Sequence, residues 1–176
     1  MSAIASLVVG RDGSTSLNGN SQGLSTPADR ARFLALHRSA PAIVIGSNTA
    51  THDPYSTSRV PVYVFTREER KQFKPNFTPI YVPTLQELEK EFRRIAGSYS
   101  TPIVVEAGAS LLQTLINLGC IDFLYLSIVP ISPQENQISM TELLSNFKVE
   151  SEENIEGTRL LKCRYQSNAT NGKDNS

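Results

Sequence analysis

The sequence predicts an α/β domain: a mostly parallel, twisted sheet with helices on both faces and an antiparallel edge. Three observations carry this. Short, β-branched apolar runs alternate with segments of helical period, and several of those runs are apolar throughout, as strands covered on both faces are. The last two extended segments then follow one another with only a glycine-bearing turn between them.

The elements follow in order. Ala3–Val9 (AIASLVV) reads as a buried strand. A long polar segment, RDGSTSLNGNSQGLSTPADR, then offers almost nothing to bury. A helix over Pro27–Arg38 has Ser25 or Thr26 to cap it, Pro27 at its first position and Phe33, Leu34 and Leu36 as its apolar face. Strands are predicted over Pro41–Gly46, Val60–Thr66 and Thr78–Pro83. Thr84–Gly97 is a helix capped by Thr84, with Glu87 at the third position and Leu85, Leu88, Phe92 and Ile95 repeating at helical spacing. Next come a strand over Pro102–Glu106, a helix over Ala109–Leu118 closed by Gly119, and a strand over Phe123–Val129. FKVESEEN and TRLLKCRYQS form a closing pair turning near Gly157.

A chain of 176 residues suits one domain, expected over residues 1–166, with residues 167–176 a disordered polar tail. The 17 basic and 17 acidic side chains cancel, so neither nucleic acid nor an anionic membrane has compositional support as a partner. Cys120 and Cys163 lie far apart, make no metal or disulfide motif and read as small buried hydrophobes. No metal is expected. The first ten residues lack a basic leader, and no apolar run approaches the ~18 residues of a membrane span, so a cytoplasmic protein is expected.

In open α/β sheets ligands bind beyond the carboxyl ends of the strands. Four segments there are polar, basic or glycine-bearing: the opening loop, GSNTATHDPYSTSR, TREERK and EAGAS. In EAGAS, Gly108 lets backbone approach a ligand, and the N–H groups of Ala109, Ser110 and Leu111 at a helix start favour phosphate; alternatively Gly108 only permits a tight turn. Glu106 is either a solvated strand end or a ligand for substrate hydroxyls. Thr66, Arg67, Arg70 and Lys71 can hold a 2′-phosphate, or form a solvated turn neutralised by Glu68 and Glu69. Asn48, Thr49, Asp53 and Arg59 can orient a polar, phosphorylated substrate, with Arg59 the bidentate phosphate ligand. His37, near a helix end, is explained by a dipole contact or by exposure, and His52 has no nucleophile partner in any recognisable motif.

Three segments together resemble one family. DGSTSLNGNSQGLSTPADRARF, IVIGSNTATHDPYSTSR and IVVEAGASLLQTLINLGCIDFLYLSIVP are similar to the motifs of the pyrimidine reductases of riboflavin biosynthesis, the reductase half of the bifunctional deaminase-reductases, over about Ala3 to Tyr165. The resemblance implies a dihydrofolate reductase-like fold, a homodimer, NADPH as hydride donor, and a ribosylaminopyrimidine phosphate reduced at ribosyl C1′. It implies that Asp12, Gly13, Asn18, Gly19 and Ser21 wall the substrate site. Thr49 and Asp53 then lie between nicotinamide and substrate, with Asp53 orienting polar groups or relaying a proton. Arg59, and Arg38 late in the first helix, are the phosphate ligands; Glu106 faces the ribose, and Gly108 to Leu111 hold the cofactor, to which Gly46, Thr66 and Arg67 are added from their own places at the ends of strands. The chain departs from the family pattern at Ala107-Gly108, where paired glycines are usual, and in ISPQENQISM, which lacks the usual glycine-bearing turn. The alternatives are a reductase of the same fold acting on a pteridine-like or small carbonyl substrate, and a non-catalytic dimeric ligand-binding protein.

Overall fold

The computed structural model describes residues 2–52, 55 and 57–166. The strands are β1 (Ala3–Gly10), β2 (Ile43–Gly46), β3 (Val62–Thr66), β4 (Phe77–Tyr81), β5 (Ile103–Glu106), β6 (Phe123–Val129), β7 (Phe147–Ile155) and β8 (Thr158–Tyr165). The helices are α1 (Pro27–Ser39), α2 (Ser47–His52), α3 (Leu85–Gly97), α4 (Ala109–Asn117) and α5 (Met140–Ser145), and Ser21–Leu24 forms a single 3-10 turn.

One eight-stranded sheet runs in the order β4-β3-β2-β5-β1-β6-β8-β7. β1 to β6 are mutually parallel, and β8 and then β7 add in antiparallel fashion, the edge that the sequence predicts. The centre of the sheet is apolar on both faces because helices cover both. On one face Leu88, Phe92 and Ile95 of α3, Leu112, Leu115 and Ile116 of α4 and Leu143 of α5 pack on the inward residues of β1, β5, β6 and β8. On the other, Leu36 of α1 and Ala50 of α2 pack with Tyr55 on Ile43, Ile45, Val62 and Val64. Each such fully buried large side chain stabilises the fold by about 1.5–3 kcal/mol. Among the described residues no helix is long and apolar enough to cross a membrane.

Local chemistry sets the boundaries. Thr26 and Thr84 cap α1 and α3 by accepting the N–H of Asp29 and of Glu87, and Pro27 occupies the first position of α1. Both edges are protected against further pairing: Pro79 interrupts the donors of β4, and β7, exposed over most of its length, is acidic and tied to β8 by Glu152–Arg159 and Glu150–Arg164 ion pairs.

Four features differ from expectation. Ser47–His52, expected as loop, is helical, and α5 was not foreseen in so polar a stretch. Leu34 and Leu85, assigned to apolar helix faces, are 38% and 54% exposed, because α1 seats a polar side on the sheet and Leu85 lies in the first turn of α3, ahead of the buried stripe. The glycine-free turn after Pro130 forms with Gln134 and Asn136 in the left-handed region, where their side-chain and backbone polar groups find partners in the opening loop. Residues 167–176, read as a tail, lie outside the described residues.

Candidate active site

Because β1, β2, β3 and β5 are parallel, the segments following them emerge on one rim. The end of β2 delivers Gly46, the end of β3 Thr66 and Arg67, and the turn after β5 delivers Gly108 and the start of α4. These line one cleft of about 600 Å³, and all eight positions predicted for a cofactor are in its wall: Gly46, Thr49, Thr66, Arg67, Gly108, Ala109, Ser110 and Leu111. No side chain caps α4, whose N-cap is Gly108, and a Cβ built at Gly108 would meet no heavy atom within 4 Å. The first-turn N–H groups therefore face a space that a side chain would begin to fill, which suits an anionic group. Gly108 has φ −58°, so close approach rather than backbone freedom is what glycine provides here. Arg67 is exposed on the cleft wall, whereas Lys71 pairs with Glu68 at 3.0 Å and, like Arg70, stands outside it.

A second space lies on the other side of Thr49, in two connected chambers of about 250 and 190 Å³ that share Val8, Ser21, Asp29, Phe33, Thr49 and Tyr55. Thr49 lines the cleft and both chambers, so it stands at their junction. Glu106 lines the smaller chamber, with its side chain only 5% exposed. Its Oε1 meets His37 Nε2, and its Oε2 accepts the phenol O–H of Tyr55. Burial, then the adjacent charge of Glu106, raise the Tyr55 pKa, so the phenol keeps its proton and donates. The His37 ring stacks between Phe33, with centroids 4.2 Å apart, and Tyr55, at 5.9 Å. Arg30 lies 5.4 Å over the Phe33 ring and is the only cation lining either chamber among the described residues.

Asp29 supplies a second carboxylate. Its Oδ1 accepts from Ser127 at 2.5 Å and its Oδ2 from Ser25 at 2.6 Å, and Ser127 in turn accepts from Arg32 at 2.7 Å. This buried network seats α1 on the sheet and fixes the floor of the larger chamber.

The predicted substrate residues are divided. Ser21 and Glu106 line the chambers. Asp12 does not: its carboxylate accepts from Ser14 N at 3.0 Å, Ser14 Oγ at 2.9 Å, Gln134 N at 2.9 Å and Gln137 Nε2 at 3.1 Å, and so holds the opening loop against residues 131–138. Arg38 and Arg59 are exposed and line neither chamber, Arg38 because the helical turn that brings His37 to Glu106 sends the next residue outward. Asp53 lies outside the described residues. His37 was assigned no role from the sequence, although the Phe33 and His37 spacing of four on one helix was a readable sign that the two rings meet. Arg30, inside the segment DGSTSLNGNSQGLSTPADRARF that carries the resemblance, was also given no role.

The fold and cleft define an α/β domain of dihydrofolate reductase-like architecture with a two-part site on the carboxyl rim of its sheet. The sequence matches the model of the RibD C-terminal domain over residues 2–132, and the chain belongs to that family. No curated protein matches it. Among solved structures, it is similar to a pyrimidine reductase-like protein from Corynebacterium diphtheriae, with a TM-score of 0.75 at 16% identity over 94% of this chain and 92% of that one. It is similar to RibD from Acinetobacter baumannii (TM-score 0.69, 14% identity, 94% of this chain), and spans only 58% of the length of that protein. Dihydrofolate reductase from Enterococcus faecalis, complexed with NADP(H) and RAB-propyl, aligns with a TM-score of 0.72 at 15% identity, over 94% of this chain and 96% of that one.

Proposed function

We propose that the protein is an NADPH-dependent reductase that transfers a hydride to the ribosyl C1′ of a ribosylaminopyrimidine phosphate. The observation carrying this reading is the continuity of the site: the cleft that all eight positions line meets, at Thr49, Gly108 and Ala109, a ring-lined chamber that holds a buried carboxylate. The NADP(H) bound to the enterococcal dihydrofolate reductase and the likeness to a pyrimidine reductase-like protein agree with it. Bound NADPH supplies the hydride. The chain does the rest by positioning and electrostatics. The first turn of α4 and Arg67 hold the cofactor phosphates, and Thr49 sets the boundary at which donor and acceptor meet. Glu106 accepts hydrogen bonds from substrate hydroxyl or amine groups, Phe33 and Tyr55 enclose the ring, and Asp53 or a water delivers the proton that balances the hydride. The domain works as a homodimer, symmetric pairs being the commonest assembly.

One observation favours a second reading. Arg38 and Arg59 stand away from the chambers, leaving Arg30 as the phosphate ligand; a pteridine-like substrate without phosphate needs neither arginine.

Titration with NADPH and NADH, followed by nicotinamide fluorescence, tests the cofactor, and NADPH oxidation with the ribosylaminopyrimidine phosphate or with dihydrofolate tests the substrate. Binding of neither nucleotide rejects the reductase and leaves a ligand-binding protein. Turnover of dihydrofolate alone selects the second reading. Sedimentation decides the dimer.

A further inference from the structure

We propose that His37 is a positioning residue for the substrate site: without lining either chamber, it fixes the Glu106 carboxylate, and the Tyr55 ring beside it, in the orientation that receives the substrate. The inference rests on the reductase reading above for what Glu106 binds, and on geometry for how His37 acts.

An ionised carboxylate offers about four acceptor directions. Two on Glu106 are taken, one on each oxygen, by His37 Nε2 and by the Tyr55 hydroxyl, and the remainder are left for the chamber that Glu106 lines. Glu106 is rooted at the end of a central strand, paired with Ile45 across β2, so its backbone is immobile and its side-chain rotation is the freedom left to it. His37 and Tyr55 remove that freedom from two sides. His37 cannot readily turn away, because Phe33 stacks on it from one helical turn earlier and Tyr55 faces it from the other side. In the tautomer with its proton on Nε2, His37 donates to Oε1.

The column of Phe33, His37 and Tyr55 joins floor and wall in one unit. Phe33 and Tyr55 line both chambers, whereas His37 supports them from behind, its side chain 21% exposed. Without the imidazole N–H, the nearly buried Oε1 loses its partner, and a buried acceptor left unpaired is costly enough to make the carboxylate turn towards another donor. The substrate then meets a misaligned group. Affinity for substrate falls, while Gly46, Thr66 and Arg67, which line the cleft and neither chamber, keep their places.

The test compares His37→Phe, which keeps the stacked ring and removes the donor, with His37→Gln, whose amide can replace it. Positioning predicts a KM for substrate raised about tenfold in His37→Phe, an unchanged Kd for NADPH, and recovery of most of the loss in His37→Gln. A purely structural role predicts lowered thermal stability in both variants with unchanged KM, and that result overturns the proposal. A second readout needs no turnover: proton NMR of wild type and of a His52→Asn variant should show a slowly exchanging, downfield imidazole N–H from His37 that is lost in Glu106→Ala. Its absence from the wild type overturns the pairing itself. A wild type that binds NADPH but neither binds nor reduces either candidate substrate rejects the reductase reading and the proposal together; one that turns over, with His37→Phe unaltered, rejects the proposal alone.

Discussion

Glu135 accepts the backbone N–H groups of Asn18, at 2.9 Å, and Gly19, at 3.0 Å, across 117 and 116 residues of sequence, and so ties the opening loop to the turn that follows β6. Those bonds, with one from Ser16, hold its carboxyl below the usual glutamate value of 4.5. At Asp12 desolvation acts in the raising direction, but the hydrogen bonds from Ser14 and Gln134 outweigh it and the carboxyl is again depressed, below 3.8. A carboxyl depressed in the folded state stabilises it above the unfolded pKa and loses that contribution as pH falls through the folded one. The loop should therefore loosen selectively below about pH 4. Hydrogen exchange at Asn18 and Gly19 reports it. Glu135→Gln should speed the same exchange at neutral pH, and unchanged rates there would show that the clasp is not formed by the charge.

Gly13 has φ +84°, and a Cβ there would lie 2.4 Å from the Ile138 carbonyl oxygen. Gly13→Ala should therefore destabilise the protein by about 1–3 kcal/mol, and more where the backbone cannot shift. Gly19, at φ +74° with open space around it, carries the conformational cost alone, so Gly19→Ala should cost less in a denaturant titration.

Gly108→Ala separates binding from folding. The added methyl meets no protein atom and the φ suits alanine, so the melting temperature should stay within a degree or so of wild type. Its space is the cleft in which the reductase reading places the cofactor, so on that reading NADPH affinity should fall about tenfold, near 1.4 kcal/mol, by fluorescence titration.

Asp29→Ala removes the acceptor of two short hydrogen bonds and the charge nearest the partly buried Arg32, whose pKa desolvation lowers and Asp29 holds up. A loss of about 2–3 kcal/mol in stability is expected by chemical denaturation. A loss confined to activity would show instead that Asp29 serves the chamber rather than the seat of α1.

On the reductase reading, Arg67→Gln should reduce a preference for NADPH over NADH, since a guanidinium on the cleft wall suits the additional phosphate. Equal weakening for both nucleotides would assign Arg67 to the shared pyrophosphate.

The sheet was legible because its signals are local. Apolar runs such as Ile103–Glu106 declare buried strands, Thr84 and Gly119 punctuate helices, and a glycine or cation after a strand falls on the carboxyl rim whatever the rest of the chain does. That is why the eight positions expected to hold a cofactor fall on one cleft, Gly46 with Gly108 and Thr66 with Arg67. The substrate side was not. The resemblance offered Asp12 and Arg38 by position alone, and nothing near them in sequence shows that loop 131–138 folds beside Asp12 or that the same helical turn brings His37 to a carboxylate 69 residues ahead.

Sequence alone determined the strands, the principal helices, the exposed rim of the parallel sheet and the composition of the cleft on it, since period, caps and glycines act within a few residues of themselves. Only the tertiary structure decided which polar side chains face a ligand and which hold the protein together. A carboxylate serves whichever donors packing brings within about 3 Å: for Asp12 and Glu135 these are the chain's own loops, and for Glu106 they are His37, Tyr55 and the open side of a chamber.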